Sequence, residues 1–300
     1  MFNIKIALMD ILVSVIIPVY RDERLNLCLK ALLNQNFPKR NFEIIVVNND
    51  PDATIDLRHH CYDKLNLKIL DEPTPGSYAA RNKGIIHASG KILAFTDSDC
   101  IPDVDWLKNA MVVFEADLKC EIGILAGNVI LFYNDDYKLT SAEIYEKYTG
   151  FTQEQYAKEG NSVTANWFSY KSVVEGIGGF DSGLKSNGDT ELSARISKKY
   201  KVVFAPEVVV KHPARYRISD LVYKYRRLLG GTHARRFNKR PILFFWHIIE
   251  FSWRRLRFAI KKSVTISLYE SIAIWKTSIS IIIGAWREYF NLIAKGESKR

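Results

Sequence analysis

The chain has 300 residues, 47% of them hydrophobic and 25% charged, with a net charge of +10. That length and balance fit a folded chain with one large core and exclude a disordered one. The four cysteines, Cys28, Cys61, Cys100 and Cys120, form no Cys-x-x-Cys pair, so neither a zinc site nor a disulfide framework is expected. Lys5 and Asp10 interrupt the first apolar residues and no small-residue cleavage site follows, so the opening does not read as a secretory signal and a cytoplasmic setting is expected. The charge is uneven: residues 216–300 carry 18 Lys or Arg against 5 Asp or Glu, and residues 1–215 carry 25 against 28.

In chain order, Val13-Ser14-Val15-Ile16-Ile17-Pro18 reads as a strand buried on both faces. A helix follows from about Arg24 to Asn36, with Leu25, Leu29, Leu32 and Leu33 on one face. Phe42–Val47 is a second buried strand, stopped by the turn-forming Asn48-Asn49-Asp50-Pro51, and Leu67–Leu70 is a third. Ser77 is placed to cap a helix running to about Ala88. Ile92–Phe95 is a fourth strand that runs into Thr96-Asp97-Ser98-Asp99. Strands and helices alternating in this way predict an α/β domain with a largely parallel sheet. Ligands bind such sheets beyond the carboxyl ends of the strands. Three polar clusters fall there: Tyr20-Arg21-Asp22, Asn48-Asn49-Asp50 and Asp97-Ser98-Asp99.

Two carboxylates one residue apart at a strand end can share a hard cation, magnesium or manganese, completed by phosphate oxygens and water. Asp-x-Asp alone reads first as a solvated turn with Asp capping the next helix; its place at the end of an apolar strand, before the turn at Cys100-Ile101-Pro102, strengthens the reading as a site. Arg81 stands in the first turns of its helix, where backbone N–H groups already favour an anion and a guanidinium can fork onto phosphate. Asp189, in Gly188-Asp189-Thr190-Glu191-Leu192, lies at a helix start and reads either as a simple N-cap or as a base for an attacking hydroxyl.

The order of these motifs resembles the family 2 glycosyltransferases, inverting enzymes of the GT-A fold, from Val13 to about His212. The elements are Pro18-Val19-Tyr20, the polar turn after Val47, Ala80-Arg81-Asn82-x-Gly84, Asp97-Ser98-Asp99, Gly178-Gly179-Phe180-Asp181 and Gly188-Asp189-x-Glu191-Leu192. The resemblance implies a Rossmann-like mixed sheet flanked by helices, with a catalytic domain over 1–215 (donor half 11–105, acceptor half 106–215) and a helical extension over 216–300. It implies a nucleotide-sugar donor, a UDP-sugar first, held by Pro18, Tyr20, Asp22, Asn49, Arg81, Asp97, Ser98 and Asp99. It further implies a divalent cation, Mn2+ or Mg2+, on Asp99 with Asp97 and His212, and Asp189 as general base. Asn166, Trp167 and Glu191 would face the acceptor. Two positions depart from the family pattern: Asn48-Asn49 stands where two acids are usual, and Gly188 where Glu is usual. The Gln-x-x-Arg-Trp signature of processive members is missing, so single-sugar addition is expected.

In the basic third, Ile242, Trp246, Ile249, Trp253, Leu256 and Ile260 form one helical stripe flanked by Arg254, Arg257 and Lys261. An aromatic, basic helix of this kind suits a membrane interface, against the alternative of a helix packed on the catalytic domain. Val264–Trp286 is apolar but contains Glu270 and Lys276, each costing roughly 2.5–3.5 kcal/mol near a bilayer centre, so peripheral attachment at the cytoplasmic face is expected over a span. A saccharide or lipid-linked saccharide acceptor would share that surface. No nucleic-acid-reading module appears, so nucleic acid is not an expected partner. A nucleotidyltransferase would need a Gly-rich, Lys-containing loop after the first strand, where Tyr20-Arg21-Asp22-Glu23 stands. A non-catalytic member of the same fold is the other alternative; the acids kept at 97, 99 and 189 weigh against it.

Overall fold

The computed structural model describes residues 11–295 except 51, 56 and 58–61. The opening stretch around Lys5 and Asp10, and Cys61, therefore lie outside the described residues. The elements in chain order are β1 (Val13–Val19), α1 (Leu25–Leu33), β2 (Phe42–Asn48), β3 (Leu67–Asp71), α2 (Ser77–His87), β4 (Ile92–Phe95), β5 (Ile101–Pro102), α3 (Trp106–Ala116) and β6 (Ile122–Phe132). Then come α4 (Ser141–Thr149), α5 (Gln153–Lys158), β7 (Trp167–Tyr170), α6 (Lys171–Gly176), α7 (Gly188–Ile196), β8 (Lys201–Pro213), α8 (Ile218–Thr232), α9 (Pro241–Ser263) and α10 (Leu268–Lys295).

The chain divides into two compact units. The first comprises residues up to Ile130, Thr152–Ser182 and Gly188–His212, and holds the eight-stranded sheet in the order β3-β2-β1-β4-β7-β6-β8-β5. β1, β2, β3 and β4 pair in parallel, as the β-branched runs predict. Every residue of β1 and β2 is buried, which continuous apolar strands require when both faces are covered. From β7 onward the sense changes: β4–β7, β6–β7 and β5–β8 are antiparallel. The sheet is thus mixed, not largely parallel throughout. Strand and helix still alternate beyond β4, so alternation by itself does not give the sense of pairing.

The chain builds β1, β2 and β3 outward, then returns to lay β4 on the other side of β1. That reversal opens a crevice at the carboxyl ends of β1 and β4, where doubly wound sheets hold ligands. Gly84 seats α2 close on β1: a Cβ there would lie 2.5 Å from Ile16 Cγ2. Ser77 is the first helical residue of α2 and makes no cap; Gly76 precedes it at φ 127°, a conformation open to glycine.

The second unit comprises Leu131–Phe151, Gly183–Asn187 and the chain from Pro213. Here α4, α8 and α9 pack on α10 around Tyr145, Leu221, Phe244, Ile248, Ile274 and Ile281. Glu146 is buried in this unit and is held by Arg215 at 2.8 Å and Lys224 at 3.1 Å. On α9 the buried residues are Phe244, Ile248, Phe251 and Ala259. The aromatic stripe lies on another face, with Ile242, Trp246, Trp253 and Ile260 exposed. The apolar stretch 264–286 opens with a break at residues 264–267 after α9 and continues into α10, and Glu270 bonds Lys147 and Tyr148. Among the described residues no helix is long and apolar enough to cross a membrane.

Candidate active site

Tyr20-Arg21-Asp22 follows β1, Asn48-Asn49-Asp50 ends β2, and Asp97-Ser98-Asp99 follows β4, so the sheet brings all three to one crevice. Hydrogen bonds tie them together. Arg21 donates from Nε to Asp50 at 2.5 Å, and Ser98 Oγ donates to Asp22 at 3.2 Å. Arg24 donates to Asp22 through Nε at 2.8 Å and Nη2 at 2.9 Å, and the same Nη2 lies 3.3 Å from Asp99. Burial opposes charge on Asp22, but the bonds from Arg24 outweigh it and hold the carboxyl below its ordinary range. Pro18 is buried near the end of β1 and Tyr20 is exposed at the rim, with the Arg21 guanidinium 5.3 Å from its ring centroid.

Asp97, Asp99, Cys100 and His212 form one cluster in which a ligand atom of each lies within 4.8 Å of the others. His212, near the end of β8, places Nε2 3.9 Å from Asp99 Oδ1. Burial, with Asp97 and Asp99 alongside, pushes the Cys100 thiol well above its ordinary range, so it stays protonated and is a poor ligand. Two carboxylates and an imidazole remain, a donor set that fits a hard divalent cation such as manganese or magnesium. Burial raises the Asp99 carboxyl, and the Asp97 charge beside it adds to that against the opposing effect of His212.

Arg81 is buried rather than a surface arginine, and its Nη2 donates to Asp97 Oδ1 at 2.6 Å. The guanidinium lies 5.8 Å from the Tyr78 ring and 6.0 Å from Phe180, two rings stacked on each other at 5.7 Å. Its Nε is buried without an acceptor and is a donor still to be used. Asn82 secures the neighbouring turn, accepting from Phe180 N–H at 2.9 Å and donating to Phe180 O at 2.7 Å. Gly178 and Gly179 make that turn at φ 88° and 68°.

Asp189 lies in the first turn of α7, after Gly188, and is not its N-cap. Its Oδ1 accepts from Thr190 N–H at 2.9 Å. Burial raises its carboxyl pKa, with Arg81 opposing and Asp97 adding to the rise. The departure at Gly188 has a steric cause: a Cβ there would lie 2.7 Å from the Tyr78 ring.

Four expected contacts receive other work in this structure. Asn49 donates to Glu72 O and Thr74 O, at 2.7 and 2.8 Å, and accepts from Gly76 N–H at 2.7 Å. It braces the loop before α2 and has no N–H left for a base. Asn166 is fully buried, bonding Asn128 O, Val208 O and the Trp106 indole. Trp167 is also fully buried and donates to Ser169 Oγ. Both pack behind the site and turn no side chain toward an acceptor. Glu191 pairs with Arg195 at 2.7 Å, and Arg195 holds Ile177 O and Gly179 O at 2.6 Å, so Glu191 steadies the glycine turn. Sequence reasoning assigned no role to Arg24, Asp50 and Asn82; Asp50 belongs to a polar cluster already singled out, Asn82 to the Arg81 motif, and Arg24 stands at the start of α1 two residues beyond the first cluster.

Residues 14–173 match the family model described as "Glycosyl transferase family 2". Glycosyltransferase AglE of Haloferax volcanii is 38% identical over 210 residues, 68% of this chain and 67% of the relative. A Methanococcus voltae relative is 25% identical over 224 residues, 70% of this chain and 69% of its own; it is a dolichyl N-acetyl-alpha-D-glucosaminyl phosphate 3-beta-D-2,3-diacetamido-2,3-dideoxy-beta-D-glucuronosyltransferase. The mannosyltransferase PcManGT from Pyrobaculum calidifontis, solved with GDP-Man and Mn2+, superposes with a TM-score of 0.61 at 19% identity, covering 93% of this chain and 86% of that one. At that identity the likeness speaks to the fold, which is GT-A.

Proposed function

The chain belongs to glycosyl transferase family 2, and from that premise we propose that it moves one sugar from a nucleoside-diphosphate donor to an acceptor hydroxyl by a single inverting displacement. The observation that carries this is one crevice holding the Asp97–Asp99–His212 cluster together with Asp189, a carboxyl whose pKa burial raises. Asp99 and His212, with Asp97, would hold a divalent cation, which when bound offsets the charge on the donor's diphosphate. Arg81, positioned by Tyr78 and Phe180, offers Nε to the donor while its Nη2 fixes Asp97. Tyr20, Pro18, Asp22 and Ser98 line the nucleotide side. Asp189 accepts the proton of the attacking hydroxyl; its raised pKa makes it a stronger base than an exposed Asp, and such a base contributes roughly 10²–10⁴-fold. A UDP-sugar is the first donor to try, although Asn49 is committed to the loop and gives uracil no special preference.

The acceptor is a saccharide or a lipid-linked saccharide, and the chain works at the cytoplasmic face of a membrane. Two observations support this. The Methanococcus relative acts on a dolichyl-phosphate-linked sugar. The exposed Trp246 and Trp253, flanked by Arg254, Arg257 and Lys261, suit a headgroup layer, where each basic residue contributes about 1 kcal/mol.

Release of nucleoside diphosphate from a panel including UDP-glucose, UDP-N-acetylglucosamine and GDP-mannose, with and without manganese, tests the transfer reading. Metal-dependent release from one donor is expected. No turnover and no binding with any donor would end the proposal. Partitioning onto anionic liposomes should fall in a Trp246→Ala/Trp253→Ala variant; unchanged partitioning would remove the membrane claim.

A further inference from the structure

The second unit contains a cavity of about 480 Å³ between α8 and α10. α8 contributes Ile218, Val222, Tyr223 and Arg226, and α10 contributes Ile283 and Arg287. These positions recur at helical spacing, so each helix offers one stripe. The two helices run in the same direction here. A Cβ on Gly284 would lie 2.5 Å from Val222 Cγ1, and one turn further along both helices Arg226 Nε donates to Glu288 at 2.8 Å. Both arginines therefore sit at the same end of the groove, and the apolar side chains lie toward the other, with Ser219 and Ser280 beside them.

The two cations are not equivalent. Arg226 spends Nε and Nη2 on one oxygen of Glu288, a fully buried carboxylate, which offsets its charge and fixes its position. Its Nη1 stays outside that ion pair. Arg287 is exposed and makes no ion pair among the described residues, so the groove keeps a net positive end. Ile283 and Tyr223 are each 48% exposed, which leaves apolar lining open to an incoming chain. Ile279, one turn before Ile283 on α10, is also exposed and extends that apolar strip.

A mainly apolar trough with one cationic end complements a molecule that joins a hydrocarbon chain to a phosphate. We propose that this groove binds a long-chain lipid monophosphate, with the phosphate on Arg287 and Arg226 Nη1 and the chain along Ile218, Val222, Tyr223 and Ile283. The assignment deepens the lipid-linked acceptor reading and rests on it: the groove is where the carrier lipid of such an acceptor is held.

The test is direct binding of decyl phosphate to the full chain by calorimetry, beside decanol and inorganic phosphate. Decyl phosphate binds, decanol binds at least about tenfold more weakly, and inorganic phosphate competes poorly. Arg287→Gln, at an exposed position, weakens decyl phosphate about tenfold, and Ile283→Ser weakens it several-fold, each with an unchanged melting temperature. Two variants on different parts of the groove keep the test decisive if one fails to fold. Decyl phosphate bound equally by wild type and both variants, or decanol bound as tightly, overturns the site. Inorganic phosphate competing on equal terms makes it an anion site and overturns the lipid assignment. If the variants lose binding to phosphatidylglycerol vesicles but keep decyl phosphate, the groove reads a membrane headgroup and the assignment also falls. Donor binding measured by calorimetry on the same variants separates this result from the transfer reading: it stays at the wild-type level whether or not the groove binds lipid, because the donor residues lie in the first unit, whereas transfer to a lipid-linked acceptor falls with lipid affinity.

Discussion

The amino ends of the parallel strands and the first turn of α7 each desolvate a carboxylate, the first fully and the second in part, and they treat it in opposite ways. Glu43, inside β2, is fully buried. It accepts from Ser14 Oγ of β1 at 2.6 Å, from Lys68 of β3 at 2.7 Å and from Ser89 N–H before β4 at 2.5 Å. Burial alone raises its pKa, but these partners outweigh it and leave the carboxyl below its ordinary range. Asp189 accepts a single backbone bond beyond its own residue, from Thr190, and burial prevails. One acid is held charged and joins four segments of the fold. The other keeps a proton affinity that chemistry can use. Desolvation is common to both, and the number of donors aimed at the carboxylate decides whether its pKa falls or rises.

That contrast breaks most directly at Asp189. Asp189→Asn should lower the rate constant for transfer roughly 10²–10⁴-fold while donor affinity, measured by calorimetry, stays within about twofold. Lost donor binding would give Asp189 a different task. The opposite pattern is expected at the sheet: Glu43→Leu leaves Ser14 Oγ and Ser89 N–H without their acceptor and Lys68 without its ion pair, and should cost about 2–4 kcal/mol in urea unfolding, with turnover of the remaining folded enzyme unchanged. An unaltered unfolding curve would mean the network around Glu43 contributes nothing net.

The two acids should also separate on a pH axis. Glu43 has a depressed folded pKa, so its contribution is complete above its unfolded value of about 4.5 and is lost as pH falls through the folded value. Stability followed by thermal melting should decline over that acid range in wild type and less so in Glu43→Gln. Asp189 must be ionised to accept a proton and its pKa is raised, so transfer should rise with pH through a limb above the ordinary Asp value of 3.8. A limb at or below 3.8 would remove the raised base from the mechanism. A smaller effect is expected beside Asp189: Gly188→Ala drives a Cβ into the Tyr78 ring and should cost about 1–3 kcal/mol. It should also reduce turnover, because Tyr78 helps to position Arg81.

Much of this was legible in the chain. Unbroken β-branched runs identify strands covered on both faces, and polar turns after three of them place one crevice, because strand direction and sheet geometry are local consequences of the residues. The Asp97–Asp99 pair and Asp189 are conspicuous for the same reason. The side-chain partners were not legible. Glu43 looked like one acid inside a strand, and its three donors lie 25 to 46 residues away. Asn49 and Asn166 carry the polar atoms a ligand site needs, yet distant backbone groups occupy them.

On α9 periodicity marked an apolar stripe, but helical spacing alone does not say which face is covered. The structure buries Phe244, Ile248, Phe251 and Ala259 instead and leaves Trp246 and Trp253 outside. What the sequence determined by itself was which residue types stand at strand ends and helix faces, since those depend on neighbours a few positions away. Only the tertiary structure decided how many hydrogen-bond donors reach each of the two acids and which helix face meets a partner, because those depend on segments the chain brings together from far apart.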